Sequence, residues 1–271
     1  MNKLRLDQAV VKLKLVASRS QAESYIKLGQ VLVEGKVITK PGFLVGAEAN
    51  ITMSTTQQYV SRAALKLSSV TKALKLDFAG KTVLDVGSST GGFTDYALRH
   101  GARKVIAVEV GTDQLHPSLR GNPQIELHEK TDIRNVTIHH PELVSGPANQ
   151  PKKDKQVLKP VQDDVDSKIT IEVPDIVVAD VSFISLREIL PSIAKLSSAG
   201  TQIVVMVKPQ FEAAQSNLKH KGIIKNDKMR RDILKDFESW TQTRFRIIDK
   251  ADSEVSGAKG NKERFYLLMR V

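Results

Sequence analysis

Residues 83–92 read Val-Leu-Asp-Val-Gly-Ser-Ser-Thr-Gly-Gly, an apolar β-like run entering a glycine-rich turn. Glycine at 87 and 91 lets the backbone approach a ligand closely at the carboxyl end of a strand. Asp85, two residues ahead, offers a carboxylate to whatever sits there. A dinucleotide fingerprint, G-x-G-x-x-G, needs a second glycine where Ser89 stands. The acid suits a cationic ligand instead, such as S-adenosylmethionine (SAM), with its amino-acid end and positive sulfonium. Gly87, Ser88, Ser89, Gly91 and Gly92 are then the candidate lining, with another nucleotide or a plain tight turn as the other readings. Glu109, about 20 residues on, stands where an acid accepts hydrogen bonds from ribose hydroxyls, and Asp132 is a candidate for an adenine amine. Asp180 and Lys208 close two further apolar runs, setting a carboxylate and an amine at the ligand edge, or forming a structural ion pair that caps two strands.

These residues need a sheet to align them. Short β-branched runs at 82–86, 104–110, 176–181 and 203–207 alternate with helical stretches, which predicts a doubly wound α/β domain with a mostly parallel sheet. Strands are also expected at 125–128, 245–249 and 265–269. Ahead of this domain, residues 1–58 read as a small α+β module. Two helices lead to Gly29, followed by an alternating strand over 30–34, a turn at Gly35 and a return strand near Ile51 and Met53. Residues 59–79 would form a linker and first helix carrying Lys66, with the larger domain over 80–271. The stretch 145–168 is polar and proline-containing, and reads as a mobile surface insertion.

Composition removes several function classes. The chain has 271 residues and no cysteine, so disulfide frameworks, thiolate metal sites and thiol nucleophiles are out, and no histidine set suggests another metal site. The most apolar run, around Ile203 to Val207, lies between Lys195 and Lys208, far short of the ~18 apolar residues that span a bilayer. Residues 1–7 lead into no signal-like apolar block, so the expected location is cytoplasmic and no membrane partner is expected. A net charge of +11 points to a polyanionic partner. Eight basic residues against four acidic ones in residues 1–58 make that module a docking candidate, with Arg5, Lys12, Lys14, Arg19 and Lys27 as contacts.

Taken in order, the motifs resemble the TlyA family of RNA 2′-O-ribose methyltransferases, often named hemolysins. The likeness covers Arg5-Leu6-Asp7, Ser18 to Ala22, Gly29 to Val33, Tyr59-Val60-Ser61-Arg62, Asp85 to Asp95, Asp180 to Leu186, Lys208 to Glu212 and Gly260 to Glu263. The resemblance implies a Rossmann-like, FtsJ-like SAM-dependent methyltransferase domain. It also implies an N-terminal RNA-binding module of the type found in ribosomal small-subunit protein four. By motif, the family's Lys-Asp-Lys-Glu tetrad falls on Lys66, Asp180, Lys208 and Glu263, and Arg62 joins the RNA contacts. The chain differs from the family pattern at Ala63-Ala64, at Glu109 and at residues 224–227.

A ribose 2′-hydroxyl needs an amine to take its proton, and a lysine does so only where burial or a second cation lowers its pKa. The resemblance implies SAM-dependent 2′-O-methylation of ribosomal RNA, with cytidine as the target, on free RNA or ribosomal subunits. The rival classes are a non-catalytic RNA-binding or ribosome-assembly factor and a membrane-active hemolysin. Retention of all four tetrad residue types argues against the first. The lack of any amphipathic or long apolar segment argues against the second.

Overall fold

The computed structural model describes residues 3–16, 18–54, 59–139, 169–213, 223–224, 226–257 and 260–271. The insertion expected at 145–168 and Lys225 lie outside the described residues.

The module begins with β1 (Leu4–Arg5), α1 (Leu6–Lys12) and α2 (Arg19–Lys27). Ser18 caps α2 by accepting from Gln21 N, as its residue type predicts. The strands β2 (Val31–Val33), β3 (Lys36–Val37), β4 (Leu44–Val45) and β5 (Ile51–Met53) follow. They form a three-stranded antiparallel sheet in the order β3-β2-β5, while β4 pairs β1. The module's core of Leu6, Val10, Tyr25, Ile26 and Val31 also takes in Leu65 and Val255 from beyond residue 59. Burying such a side chain stabilises by roughly 1.5–3 kcal/mol, so the module is packed on the rest of the chain rather than tethered to it.

The remainder is built on α3 (Arg62–Thr71), β6 (Thr82–Val86), α4 (Gly92–Arg99), β7 (Lys104–Val108) and β8 (Ile125–His128). Beyond these come β9 (Val136–Ile138), β10 (Ile169–Ile171), β11 (Ile176–Ala179), α5 (Leu186–Lys195), β12 (Gln202–Val207) and α6 (Pro209–Glu212). The chain closes with α7 (Asp227–Thr241), β13 (Phe245–Asp252) and β14 (Arg264–Arg270). Seven strands form one sheet in the order β13-β14-β12-β11-β6-β7-β8. The pairs from β12 through β8 are parallel, and β14 runs antiparallel to both its neighbours. Every residue of β6 and β11 is buried, because separate apolar clusters cover the two sheet faces. The order reverses between β6 and β11, which opens a crevice at their carboxyl ends.

Two local differences from the sequence expectation have physical causes. The second strand ends at Val108 rather than residue 110, because Glu109 turns back to accept from Ser89 N at 2.9 Å and Gly111 N at 2.8 Å. The parallel pair β9 and β10 was not expected, since three-residue strands whose partners, Val136 and Ile169, lie 33 positions apart leave no periodic signal.

Candidate active site

The glycine-rich turn works by close approach. Gly87 has φ of +78°, and a Cβ there would lie 3.1 Å from the Asp180 carbonyl oxygen and from Val181 Cγ1. Only glycine lets the ends of β6 and β11 meet this tightly. Gly92 faces the start of α3, where a Cβ would fall 2.7 Å from Ala63 Cβ and 3.0 Å from Ala64 N. These contacts bring the helix carrying Lys66 to the carboxyl edge of the sheet.

Two adjoining cavities open along that edge. The larger, about 540 Å³, is bordered by Gly87, Glu109, Gln114, Asp132, Ile133 and Phe183 among others. The smaller, about 140 Å³, has Asp85, Ser88, Asp180 and Lys208 on its walls, with Ala63 from α3. Asp85 is buried, and its Oδ2 accepts from Thr94 Oγ1 at 2.7 Å. Its Oδ1 and the Ser88 hydroxyl are buried without a hydrogen-bond partner. Burial pushes the Asp85 carboxyl up to about 7 against the pull of the Thr94 bond, and the charges of Asp180 and Glu109 push the same way. Buried orphan acceptors are costly, so their presence on a cavity wall marks a place where a ligand's donors belong.

The four residues assigned by motif form two ion pairs. Lys208 Nζ is 2.6 Å from Asp180 Oδ1 and donates to Ser182 Oγ at 2.7 Å. Lys66 Nζ is 2.6 Å from Glu263 Oε2. Both lysines and Glu263 are buried. The pairs are neighbours through the sheet: Val207 on β12 opposes Arg264 on β14, so one further step in this antiparallel register sets Lys208 opposite Glu263.

Other expected residues are engaged differently. Asp132 borders the larger cavity, but it caps the following turn by accepting from Arg134 N and receives three further bonds from the Arg134 guanidinium, at 2.6 Å for the closest. Those bonds hold its carboxyl below the usual range. Glu109 has both oxygens engaged by backbone N–H groups, leaving only spare lone pairs for a ribose. In the module, Arg5 and Arg19 do not simply face solvent. Both grip the buried Asp7, whose burial raises its pKa but whose two guanidinium partners outweigh that and hold it low. Lys12, Lys14 and Lys27 are exposed, and Arg62 donates to Ser256 O at 2.5 Å.

Sequence reasoning assigned no role to several residues at the site. Gln114 bridges Ser89 Oγ and Glu109, and Ser182 holds Lys208. Phe183 is 91% exposed, has φ of +66°, and lies 5.3 Å from the Phe211 ring centroid. A phenylalanine between strand and helix, three residues after Asp180, was the available signal. Glu212 has a structural part instead: its oxygens accept from Ser185 Oγ and Leu186 N, capping α5.

Sheet order and the crevice at the β6–β11 switch define a Rossmann-like domain, joined to a small α+β module. Residues 59–270 match the FtsJ-like methyltransferase family, and residues 4–51 match the S4 domain. The chain belongs to the TlyA family. It is 33% identical over 267 residues to the 16S/23S rRNA (cytidine-2′-O)-methyltransferase TlyA of Mycobacterium tuberculosis, covering 97% of this chain and 89% of that one. It is also 33% identical over 261 residues to Hemolysin A of Brachyspira hyodysenteriae, covering 96% and 97%. A solved structure named for a hemolysin, from Streptococcus thermophilus, superposes with a TM-score of 0.63 at 30% identity, covering 100% of this chain and 90% of that one. Among the described residues, no helix is long and apolar enough to cross a membrane, and no cluster of His, Asp or Glu could hold a metal ion.

Proposed function

We propose that the protein transfers a methyl group from SAM to the ribose 2′-hydroxyl of a cytidine in ribosomal RNA. The observation that carries this reading is the pair of buried lysine–carboxylate contacts, Lys208 with Asp180 on the wall of the smaller cavity and Lys66 with Glu263 one register step across β12 and β14. The residues fit the cofactor. Asp85 Oδ1 and Ser88 Oγ, buried without partners, suit its amino-acid end, and the larger cavity, with Ile133 and Val108 beside Glu109, suits a nucleoside. Asp85, Glu109 and Asp180 together make an anionic crevice that matches a cation.

When bound, SAM supplies an activated methyl on a positive sulfur. For this step Lys208 must first give up its own ammonium proton to solvent; the neutral amine then takes the 2′-hydroxyl proton, and the resulting ammonium forms 2.6 Å from Asp180 and against Ser182 Oγ. The carboxylate thus meets positive charge as it develops, which lowers the barrier rather than merely tightening binding. Glu263 holds Lys66 so that its ammonium faces the oxygen as that atom gains negative charge. Phe183 offers an exposed ring on which the target base can stack. Its left-handed backbone costs of order 1 kcal/mol, while the ring, beside Phe211, stays 91% exposed.

Replacement of Lys208 tests the chemistry. Lys208→Arg keeps a cation beside Asp180 but cannot act as a base, and Lys208→Ala removes the amine. Both variants should bind SAM and RNA while losing transfer by about 10²–10⁴-fold. Near-normal turnover in Lys208→Arg would remove Lys208 from the proton transfer.

A further inference from the structure

A groove of about 300 Å³ lies between the module and the catalytic domain, with walls drawn from both. Lys27 comes from the last turn of α2, Arg62 from the first turn of α3, and Ser256 and Gly257 from the segment after β13. Lys27 is exposed and has no carboxylate within ion-pair distance among the described residues. Arg62 spends one N–H on Ser256 O, while its Nε is buried without a hydrogen-bond partner. The acid on the wall, Glu23, already lies 3.7 Å from Arg19. Positive charge is therefore left over in the groove, with one guanidinium donor unspent.

The groove adjoins the catalytic pairs. A Cβ on Gly257 would stand 2.6 Å from Glu263 Oε1, so the groove's floor rests on the carboxylate that holds Lys66. Arg62 and Lys66 are four residues apart on α3, on one face and about one 5.4 Å turn from each other.

We propose that this groove seats a single phosphodiester of the RNA strand whose ribose enters the active site, clamped between Lys27 of the module and Arg62 of the catalytic domain. The proposal rests on the RNA methyltransferase reading. A phosphodiester carries one negative charge and two accepting oxygens. It can take an oriented guanidinium N–H on one side and a flexible ammonium on the other. A site one helical turn from Lys66 is where a phosphate close to the reacting ribose would fall. With one anion held from both sides, the module and the catalytic domain grip the strand together rather than in turn.

The test compares Lys27→Gln, Arg62→Gln and the double variant for affinity to purified ribosomal subunits across a chloride series, with SAM affinity followed by calorimetry. Lys27 is exposed, so its variant keeps the fold if the Arg62 variant does not. One shared phosphate predicts that the double variant lowers the slope of log affinity against log salt by about 0.7–0.9, while each single variant, which keeps one cation on that phosphate, loses less than half of this, with SAM affinity unchanged. An unchanged slope in the double variant overturns the proposal, as does a fall of about twice that size, which would mean two separate phosphates. Saturable binding of inorganic phosphate to the protein alone, lost in the double variant, would make the groove a free-anion site and also overturn it. If the unaltered protein neither binds nor methylates RNA, the functional reading itself fails. Normal binding and methylation in both single variants and the double would overturn the groove alone.

Discussion

Asp85 couples the cofactor site to pH. Its carboxyl is buried and pushed up to about 7, against 3.8 for a free aspartate, so the ligand-free folded protein holds a proton that the unfolded chain releases. With a folded pKa above the unfolded one, the associated stability is present in full below about pH 4 and is lost as pH rises through about 7. Asp85→Asn, which still accepts from Thr94, should therefore gain stability over the native protein between pH 5 and pH 8, by about 2 kcal/mol. Thermal melts at the two pH values measure this. Cofactor binding should run the other way. A cationic amino group favours the carboxylate, so SAM affinity should fall as pH drops below about 7, and should be weaker and flat with pH in Asp85→Asn. A native protein whose SAM affinity is constant from pH 5.5 to 8 would place the ammonium elsewhere.

At the scale of elements, the site depends on α3 reaching the sheet edge, and Gly92 permits it. A side chain at 92 would collide with Ser61, Ala63 and Ala64, so Gly92→Val should push α3 and Lys66 away from Glu263. Methyl transfer should fall at least tenfold while the sheet still melts cooperatively, held by the cluster on its other face, to which α3 contributes nothing. Full activity in Gly92→Val would show that Lys66 needs no such placement. Much of this architecture was legible in the chain. The strands expected at 82–86 and 125–128 match β6 and β8 in full, and the residues at strand ends fell at the crevice because parallel strands present their carboxyl ends on one edge. Contacts between distant segments were not legible. Nothing in Asp7 announces that it will bury itself and recruit Arg5 and Arg19, nor in Asp95 that it will accept from Val60 N and hold the linker. Phe183 stood in a recognisable motif, yet only exposure and backbone geometry single it out.

Across the whole molecule, +11 of net charge has to be divided between structure and docking. Arg5 and Arg19 are committed to Asp7, which leaves Lys12 and Lys14, exposed at the end of α1, beside Lys27 as module residues free to meet phosphate. Deleting the module would uncover Leu65 and Val255, so charge neutralisation is the cleaner probe. Lys12→Gln with Lys14→Gln should lower the salt slope of subunit binding by about 1.4–1.8 if each meets one phosphate, and should leave SAM affinity alone. An unchanged slope would move docking off this face. The central claim, that this fold methylates a ribose in ribosomal RNA, is tested most directly by supplying labelled SAM and purified small and large subunits that lack the modification, then mapping the label. The account predicts label at a cytidine whose 3′ linkage resists alkali, since a methylated 2′-oxygen cannot attack the neighbouring phosphate, and none with Lys208→Ala. Label released by alkali as a modified mononucleotide, or label undiminished in Lys208→Ala, would contradict it.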